Sequence, residues 1–191
     1  AIGYDPGYDP RRQIFEPGTK TTMIQDFYGP GSGTADGDLV CCKMTLEHIP
    51  TVADFMKTVR RSIGNRSETI IFFQIPEVRR ILREVAFWDV YYEHCSYFSK
   101  GSLARLFRRT GFDVMELGTE YDDQYLMIEA RPGTGSGPSP LPEEDDLEAL
   151  RQRDPGSPHL RRRGGDRALG LRDPQVRVQA RGRVGLRRRR L

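Results

Sequence analysis

The sequence has no apolar run that approaches the ~18 residues needed to cross a membrane, and no basic-then-apolar N-terminal segment that would indicate a signal peptide. Cysteine is scarce: Cys41 and Cys42 are adjacent inside an apolar run, and Cys95 stands alone. No Cys-x-x-Cys or Cys/His spacing exists, which argues against a zinc site. Together these absences predict a cytoplasmic protein with reduced, partly buried thiols, no membrane segment and no metal.

Lysine is absent from residues 151–191, although this segment holds fourteen arginines against three aspartates. The segment therefore carries +11, and because the whole chain carries +3, the first 150 residues carry −8. A basic tail on an acidic domain allows an alternative interpretation, a nucleic-acid-binding protein that acts through the tail. The tail has no aromatic residue to stack on bases, however, so nucleic acid is not the partner we expect.

A glycine-rich turn that could hold a nucleotide is also missing. Gly29–Gly33 precedes no predicted helix, and Gly133–Gly137 lies in low-complexity sequence, so neither qualifies as a cofactor loop. The first six residues, Ala1–Pro6, instead predict the last residues of a strand, then the acid Asp5 and a turn. A carboxylate at such a strand end binds ribose hydroxyls in nucleotide-binding α/β folds, whereas the plain alternative is an Asp-Pro turn.

Apolar patterning predicts strands and helices in alternation, which is typical of an α/β fold. The predicted elements are strands at 22–25 and 38–43, a helix at 52–63, a strand at 68–76, helices at 78–87 and 103–110, and a hairpin of 114–119 with 124–130. Ser102 is the expected N-cap of the third helix, which Gly111 ends. The strand at 68–76 is the most β-like run and is expected to be buried on both faces.

The densest group of reactive side chains lies in residues 87–98. This stretch holds the only tryptophan, three tyrosines, Glu93 and His94 within twelve positions, directly before a predicted helix. Residue types alone fit an aromatic core plug, with Glu93 and His94 at its rim, as well as they fit an active-site loop. The order of elements favours the active-site loop, because the stretch follows a buried strand, where open α/β sheets bind their ligands.

Two motifs resemble those of a known family. Asp38–Pro50 (DLVCCKMTLEHIP) and Tyr91–Ser99 (YYEHCSYFS) are similar to the S-adenosylmethionine-dependent C-methyltransferases that act on keto-deoxysugar nucleotides. The resemblance runs from about residue 1 to about residue 130. It implies a Rossmann-like class I methyltransferase fold with the sheet order 3-2-1-4-5-7-6, strand 7 antiparallel, and S-adenosylmethionine as cofactor.

The resemblance also implies catalytic roles, since Tyr91, Glu93 and His94 match catalytic positions of the family. His94 would take a proton from the carbon next to a ketone, and Glu93 would orient His94 or take the proton itself. Tyr91 would donate a hydrogen bond to the resulting enolate oxygen. His48 is an alternative base, although a histidine at this position is more often a packing or capping residue. The expected partner is a small keto sugar nucleotide.

Four further residues match positions near the cofactor in the family. Asp5 would hold the ribose and Asp26 would lie near the adenine. Lys43 and Met44, at the end of a predicted strand, would lie beside the methionine part of the cofactor.

The sequence divides into three predicted parts. Residues 1–131 form a partial methyltransferase domain, residues 132–150 a Gly/Pro/acidic linker, and residues 151–191 a disordered arginine-rich tail whose composition matches out-of-frame translation of GC-rich DNA. If Asp5 closes strand 2 of the family, strand 1 and its glycine turn belong about twenty residues upstream of Asp5. Without that central strand the sheet would have two unpaired edges, so we expect an N-terminally truncated, inactive and aggregation-prone fragment.

Overall fold

The computed structural model describes residues 1–12, 18–33, 37–134, 137–151 and 175–179, with Arg12, Arg151 and the last five described by backbone alone. The described strands are β1 Ile2–Tyr4, β2 Thr22–Ile24, β3 Leu39–Lys43, β4 Ile70–Pro76, β5 Phe112–Glu120, β6 Tyr125–Pro132 and β7 Gln175–Gln179. The described α-helices are α1 Val52–Ile63, α2 Val78–Glu84, α3 Lys100–Arg109 and α4 Leu147–Arg151. Short 3₁₀ turns lie at Pro10–Arg12, Leu46–His48, Phe87–Asp89 and Pro142–Glu144. None of the helices in these ranges has the length and apolar character that crossing a membrane requires.

The strands form one sheet in the order β2-β1-β7-β3-β4-β6-β5. β1 and β2 are parallel, β3 and β4 are parallel, and β6 is antiparallel to both of its neighbours. This arrangement confirms the Rossmann-like α/β class. It also matches the predicted order 3-2-1-4-5-7-6 when β1 to β6 are taken as strands 2 to 7 of the family. One position differs: where the family has strand 1, the centre of the sheet is occupied by β7, which runs antiparallel to β1 and β3.

β7 corrects two expectations drawn from the sequence. Residues 175–179 belong to the predicted disordered tail, yet they form a strand, and their Gln-Val-Arg-Val-Gln alternation has the two-residue period of a strand. Val178 is the register partner of both Ile2 in β1 and Val40 in β3. The two sheet edges predicted to be unpaired therefore have a hydrogen-bonding neighbour. The remainder of the tail, and the nucleic-acid interpretation that depends on it, lies outside the described residues.

The apolar core is centred on β4. Ile71, Phe73 and Ile75 are fully buried on one face of the strand. On the other face Gln74 is buried and Phe72 is half-buried, so the expectation of burial on both faces holds in part. The ring of Phe73 lies 5.2 Å from that of Phe107 in α3 and 6.5 Å from that of Phe55 in α1, measured between centroids. Helices α1 and α3 therefore both pack against β4.

The helix limits test the capping predictions. α1 has the predicted bounds, which follow from the four-residue spacing of its apolar side chains. α3 begins three residues earlier than predicted because Ser99, not Ser102, is its N-cap: the two serines form a capping box in which Ser99 N donates to Ser102 Oγ at 2.9 Å. α2 ends at Glu84, before the predicted limit, since Val85 adopts a left-handed conformation with φ 53°.

Part of the predicted linker packs against α3. Glu144 pairs with Arg108 at 2.6 Å, and Asp146 Oδ2 accepts a hydrogen bond from Gly101 N at 2.8 Å. Both acidic residues are buried. Gly101 has to lack a side chain, because a β-carbon there would clash with the backbone oxygen of Glu144. Residues 142–147 are therefore held against the domain by buried charged contacts, which composition alone did not indicate.

Candidate active site

The carboxyl ends of four strands meet at one edge of the sheet. β1, β2, β3 and β4 all run in the same direction, since β7 is antiparallel to both β1 and β3. The residues that follow these strands therefore gather at this edge, among them Asp5, Asp26 and Met44. Open α/β sheets bind their ligands at such an edge.

Residues 85–99 fold back over this edge. Val78 N, at the start of α2, donates to Phe98 O at 3.0 Å, while Cys95 N and Ser96 N donate to the carbonyl of Glu47 at 2.7 and 3.2 Å. Backbone bonds thus attach the segment to the start of α2 on one side and to the 3₁₀ turn after β3 on the other. Because two of these bonds come directly after His94, they hold its backbone against the turn that carries Glu47 and His48.

The ring of His94 lies in a cluster of two histidines and two tyrosines. Its centroid is 4.8 Å from that of His48, 5.0 Å from that of Tyr91 and 5.5 Å from that of Tyr97. Tyr97 Oη accepts from Tyr91 N at 3.0 Å, which fixes the start of the segment relative to its end. Two of the predicted catalytic residues, Tyr91 and His94, are therefore neighbours, and His48 lies with them.

The electrostatic surroundings keep His94 neutral. Burial lowers the pKa of His94, and the nearby His48 lowers it further, while Glu93 and Asp89 act in the opposite direction. Since the ordinary pKa of a histidine is about 6.5, a lowered value leaves the ring unprotonated at pH 7. A neutral imidazole has a lone pair that can accept a proton.

The carboxyl group nearest to these rings differs from the predicted one. Glu93 is only half-buried, and its carboxylate makes no hydrogen bond or ion pair with any described residue. Glu47 is 1% exposed, and one ligand atom from each of Glu47, His48 and His94 lies within 4.8 Å of the others. Burial raises the pKa of Glu47 to about 7. The buried acid of the cluster is thus Glu47 and not Glu93.

A cavity of about 430 Å³ opens beside this cluster, at the ends of β1, β2 and β3. Its walls are mainly apolar and include Tyr4, Tyr28 and Phe55, whose rings follow one another at centroid distances of 5.2 and 6.3 Å. Asp26 and His48 contribute polar groups to the lining. An apolar slot with aromatic walls and few polar groups has the character of a nucleoside site, so these residues fit an adenosine group.

The predicted cofactor residues are placed unequally around this cavity. Asp26 lines it, at the end of β2. Asp5 is buried next to it, and its Oδ1 accepts from Gly7 N at 2.8 Å, which also gives it the local turn contact expected of Asp-Pro. Lys43 is exposed and Met44 is half-buried with φ 50°, and neither belongs to the lining.

Comparison with known proteins assigns a family. Residues 1–117 match the family described as a methyltransferase domain, and the chain belongs to it. This class of enzyme transfers a methyl group from S-adenosylmethionine. The C-methyltransferase NovU of Streptomyces niveus is 30% identical over 81 residues, which are 42% of this chain and 19% of NovU. The chain thus spans about a fifth of the length of that relative.

Two solved structures give further comparisons. The N,N-8-amino-8-demethyl-D-riboflavin dimethyltransferase RosA of Streptomyces davawensis has a TM-score of 0.48 and 18% identity, over 60% of this chain and 35% of RosA. The magnesium protoporphyrin IX methyltransferase ChlM of Synechocystis PCC 6803, with bound SAH, has a TM-score of 0.44 and 14% identity, over 59% of this chain and 52% of ChlM.

Proposed function

We propose that this chain is the catalytic domain of an S-adenosylmethionine-dependent C-methyltransferase that acts on a keto sugar nucleotide or a similar ketone. The observation that carries the proposal is the position of His48. Its side chain lines the cavity that fits adenosine, and its ring lies 4.8 Å from that of His94. The candidate base and the candidate cofactor cavity are therefore separated by one side chain, as a methyl transfer between neighbouring sites requires.

The cofactor would be held by the residues around the cavity. The aromatic rings of Tyr4, Tyr28 and Phe55 would enclose the adenine, and Asp26 would accept hydrogen bonds from the adenosine. Asp5, Lys43 and Met44 are proposed for the ribose and the methionine part because they lie at the carboxyl ends of strands at the same edge. When bound, S-adenosylmethionine supplies the methyl group.

His94 would act as the general base. Its neutral ring would accept the proton from the carbon next to the ketone, and the electron pair of that C–H bond would become part of an enolate. The enolate carbon is then the nucleophile for the methyl group. Tyr91, whose ring lies 5.0 Å from that of His94, would donate a hydrogen bond to the enolate oxygen, where negative charge develops. The resemblance of NovU, named a C-methyltransferase, supports this choice of reaction.

The substitution His94→Asn tests the proposed base. Asparagine retains polarity but cannot take a proton near neutral pH, so methyl transfer to a keto-deoxysugar nucleotide should fall at least about 100-fold, the lower range for loss of a general base. The affinity for S-adenosylmethionine, measured by calorimetry, should stay within about twofold because His94 does not line the cavity. Turnover that survives the substitution would remove His94 from the mechanism.

A further inference from the structure

The cluster at the sheet edge contains an unusual pair of polar groups. Neither carboxylate oxygen of Glu47 has a hydrogen-bond partner among the described residues, and the same holds for Nδ1 of His94, although all three atoms are buried. Buried polar groups are normally paired, since leaving one unpaired forfeits its hydration without compensation. The backbone amides of Thr45 and Glu47 favour the charged form of this acid but make no hydrogen bond to it, so the unpaired nitrogen of His94 is its candidate partner.

The backbone determines how far apart these two groups can be. The carbonyl of Glu47 accepts from Cys95 N and Ser96 N, so the residue that carries the acid also holds the residues directly after His94. One carboxylate oxygen of Glu47 and one ring nitrogen of His94 lie within 4.8 Å of each other. One water can join atoms at that separation, because two hydrogen bonds of about 2.8 Å span up to about 5.6 Å.

We propose that Glu47, and not Glu93, is the positioning residue of His94: its carboxylate accepts the proton of His94 Nδ1, directly or through one water. This proposal rests on the proposed function, in which His94 is the base. With the proton held on Nδ1, the lone pair of the ring is on Nε2, which is then the atom that takes the proton from the substrate carbon. The positive charge that results on the ring lies beside a buried negative charge, so the product of proton transfer is stabilised.

Burial supports the choice of Glu47. Its pKa of about 7 means that the carboxylate forms only as the pH rises through neutrality, and the arrangement that leaves Nε2 free is complete above that pH. Among the groups that act on His94, His48 lowers its pKa, whereas Glu93 and Asp89 raise it. Among the acids in the described part of the chain, Glu47 alone has both carboxylate oxygens buried and without a hydrogen-bond partner, whereas two other buried acids have one such oxygen each.

The test compares Glu47→Gln with the matched control Glu93→Gln, and it needs neither substrate nor cofactor. The chain has three histidines, so the ring signals of His94 can be assigned by NMR from their loss in His94→Asn and followed against pH. In the wild-type chain the ring ¹⁵N signals of His94 should move towards the Nδ1–H form as Glu47 ionises near pH 7, because its carboxylate then accepts that proton. This step should be absent in Glu47→Gln and unchanged in Glu93→Gln. Glu47→Asp should restore part of the step, which a purely structural role would not.

The result that overturns the proposal is the absence of this step in the wild-type chain, or a step that survives in Glu47→Gln. If Glu47→Gln fails to fold, the carboxyl carbon of Glu47 can be titrated in the wild-type chain and in His94→Asn. Loss of the Nδ1–H donor should then raise the pKa of Glu47, because a hydrogen bond to the carboxylate favours its charged form, and an unchanged value would also contradict the proposal. None of these readouts depends on methyl transfer, so a failure of the proposed function is recognised separately.

A second arm uses Zn²⁺ alone, because two histidines and a glutamate are also ligand types for this ion. The proposal expects no stoichiometric binding of Zn²⁺ to the EDTA-treated chain by calorimetry. Tight binding that is lost in both Glu47→Gln and His48→Asn would make the cluster a metal site and overturn the proton-sharing role.

Discussion

The two halves of the sheet differ in what they contain. The packed half, built from β3, β4, β6 and β5, supplies fully buried large side chains such as Phe73, Phe112 and Leu126. The cavity half, built from β1 and β2, contributes to the buried core only Tyr4, which is 9% exposed, and it borders the cavity instead. The strands that form most of the buried core thus differ from β1 and β2, which border the cavity. A half with few buried apolar contacts is where local opening costs least.

The largest effect is expected from breaking the packed half. Phe73→Ala removes a ring that is fully buried and lies 5.2 Å from that of Phe107, so the free energy of unfolding should fall by about 3–5 kcal/mol, the range for phenylalanine-to-alanine changes in cores. Urea denaturation followed by circular dichroism measures this. A loss below about 1 kcal/mol would show that the two halves do not differ as described.

A smaller effect is expected at the edge of the packed half, from the ion pair of Arg108 and Glu144. Burial raises the pKa of Glu144, but hydrogen bonds from Arg108 and from the Leu141 amide outweigh it, and the pKa stays below its usual range. Since the folded-state pKa is lowered, the stabilisation is present above the unfolded pKa of about 4.3 and is lost as the pH falls through the folded value. At pH 7, Arg108→Met should cost about 1.5–3 kcal/mol, as for hydrogen bonds to charged groups.

The control for that pair is Arg131→Met, which breaks an ion pair with Glu68 whose side chains are 44% and 82% exposed. Its cost should stay below about 1 kcal/mol, as is usual for surface pairs. Urea midpoints at pH 7 and pH 3 should show the Arg108→Met penalty shrinking at the lower pH. An equal penalty at both values would contradict the charge-based explanation.

The smallest effect on stability is expected in the cavity half, where binding should respond instead. Phe27 lines the cavity and is 76% exposed, so Phe27→Ala should change the free energy of unfolding by no more than about 0.5 kcal/mol. Loss of an aromatic contact worth about 1.4 kcal/mol should weaken S-adenosylmethionine binding about tenfold, measured by calorimetry. Phe87→Ala removes an exposed ring away from the cavity and should leave affinity unchanged. Equal affinities for both variants would argue against the cavity as cofactor site.

Local patterns were enough to predict most of the packed half. The bounds of α1 follow from apolar residues four positions apart, and β4 follows from a run of β-branched and aromatic residues. The start of α3 was missed because Ser99 and Ser102 are both good caps, and only the capping box between them decides which one begins the helix. Such a choice depends on contacts that no single residue type encodes.

The site was predictable in its motif but not in its contacts. The sequence indicates His94 and Tyr91 through the density of reactive groups in one segment, and the Leu-Glu-His motif draws attention to His48. It gave no sign of Glu47, because a glutamate is ordinarily exposed, and its burial arises from a backbone contact with a segment nearly fifty residues away. Long-range burial of a charged side chain is a property of the fold, so sequence patterns alone do not reveal it.

The central position of β7 has a consequence for the order in which the chain can assemble on the ribosome. β1 and β2 can pair once residue 24 has emerged, and the other half is complete after residue 132. β7, residues 175–179, joins the two halves, so Ile2 in β1 can pair with Val178 only after β7 has been synthesised. Closing so long a loop is slow compared with forming local hairpins. The two halves of the sheet can therefore pair internally before the strand that joins them has been synthesised.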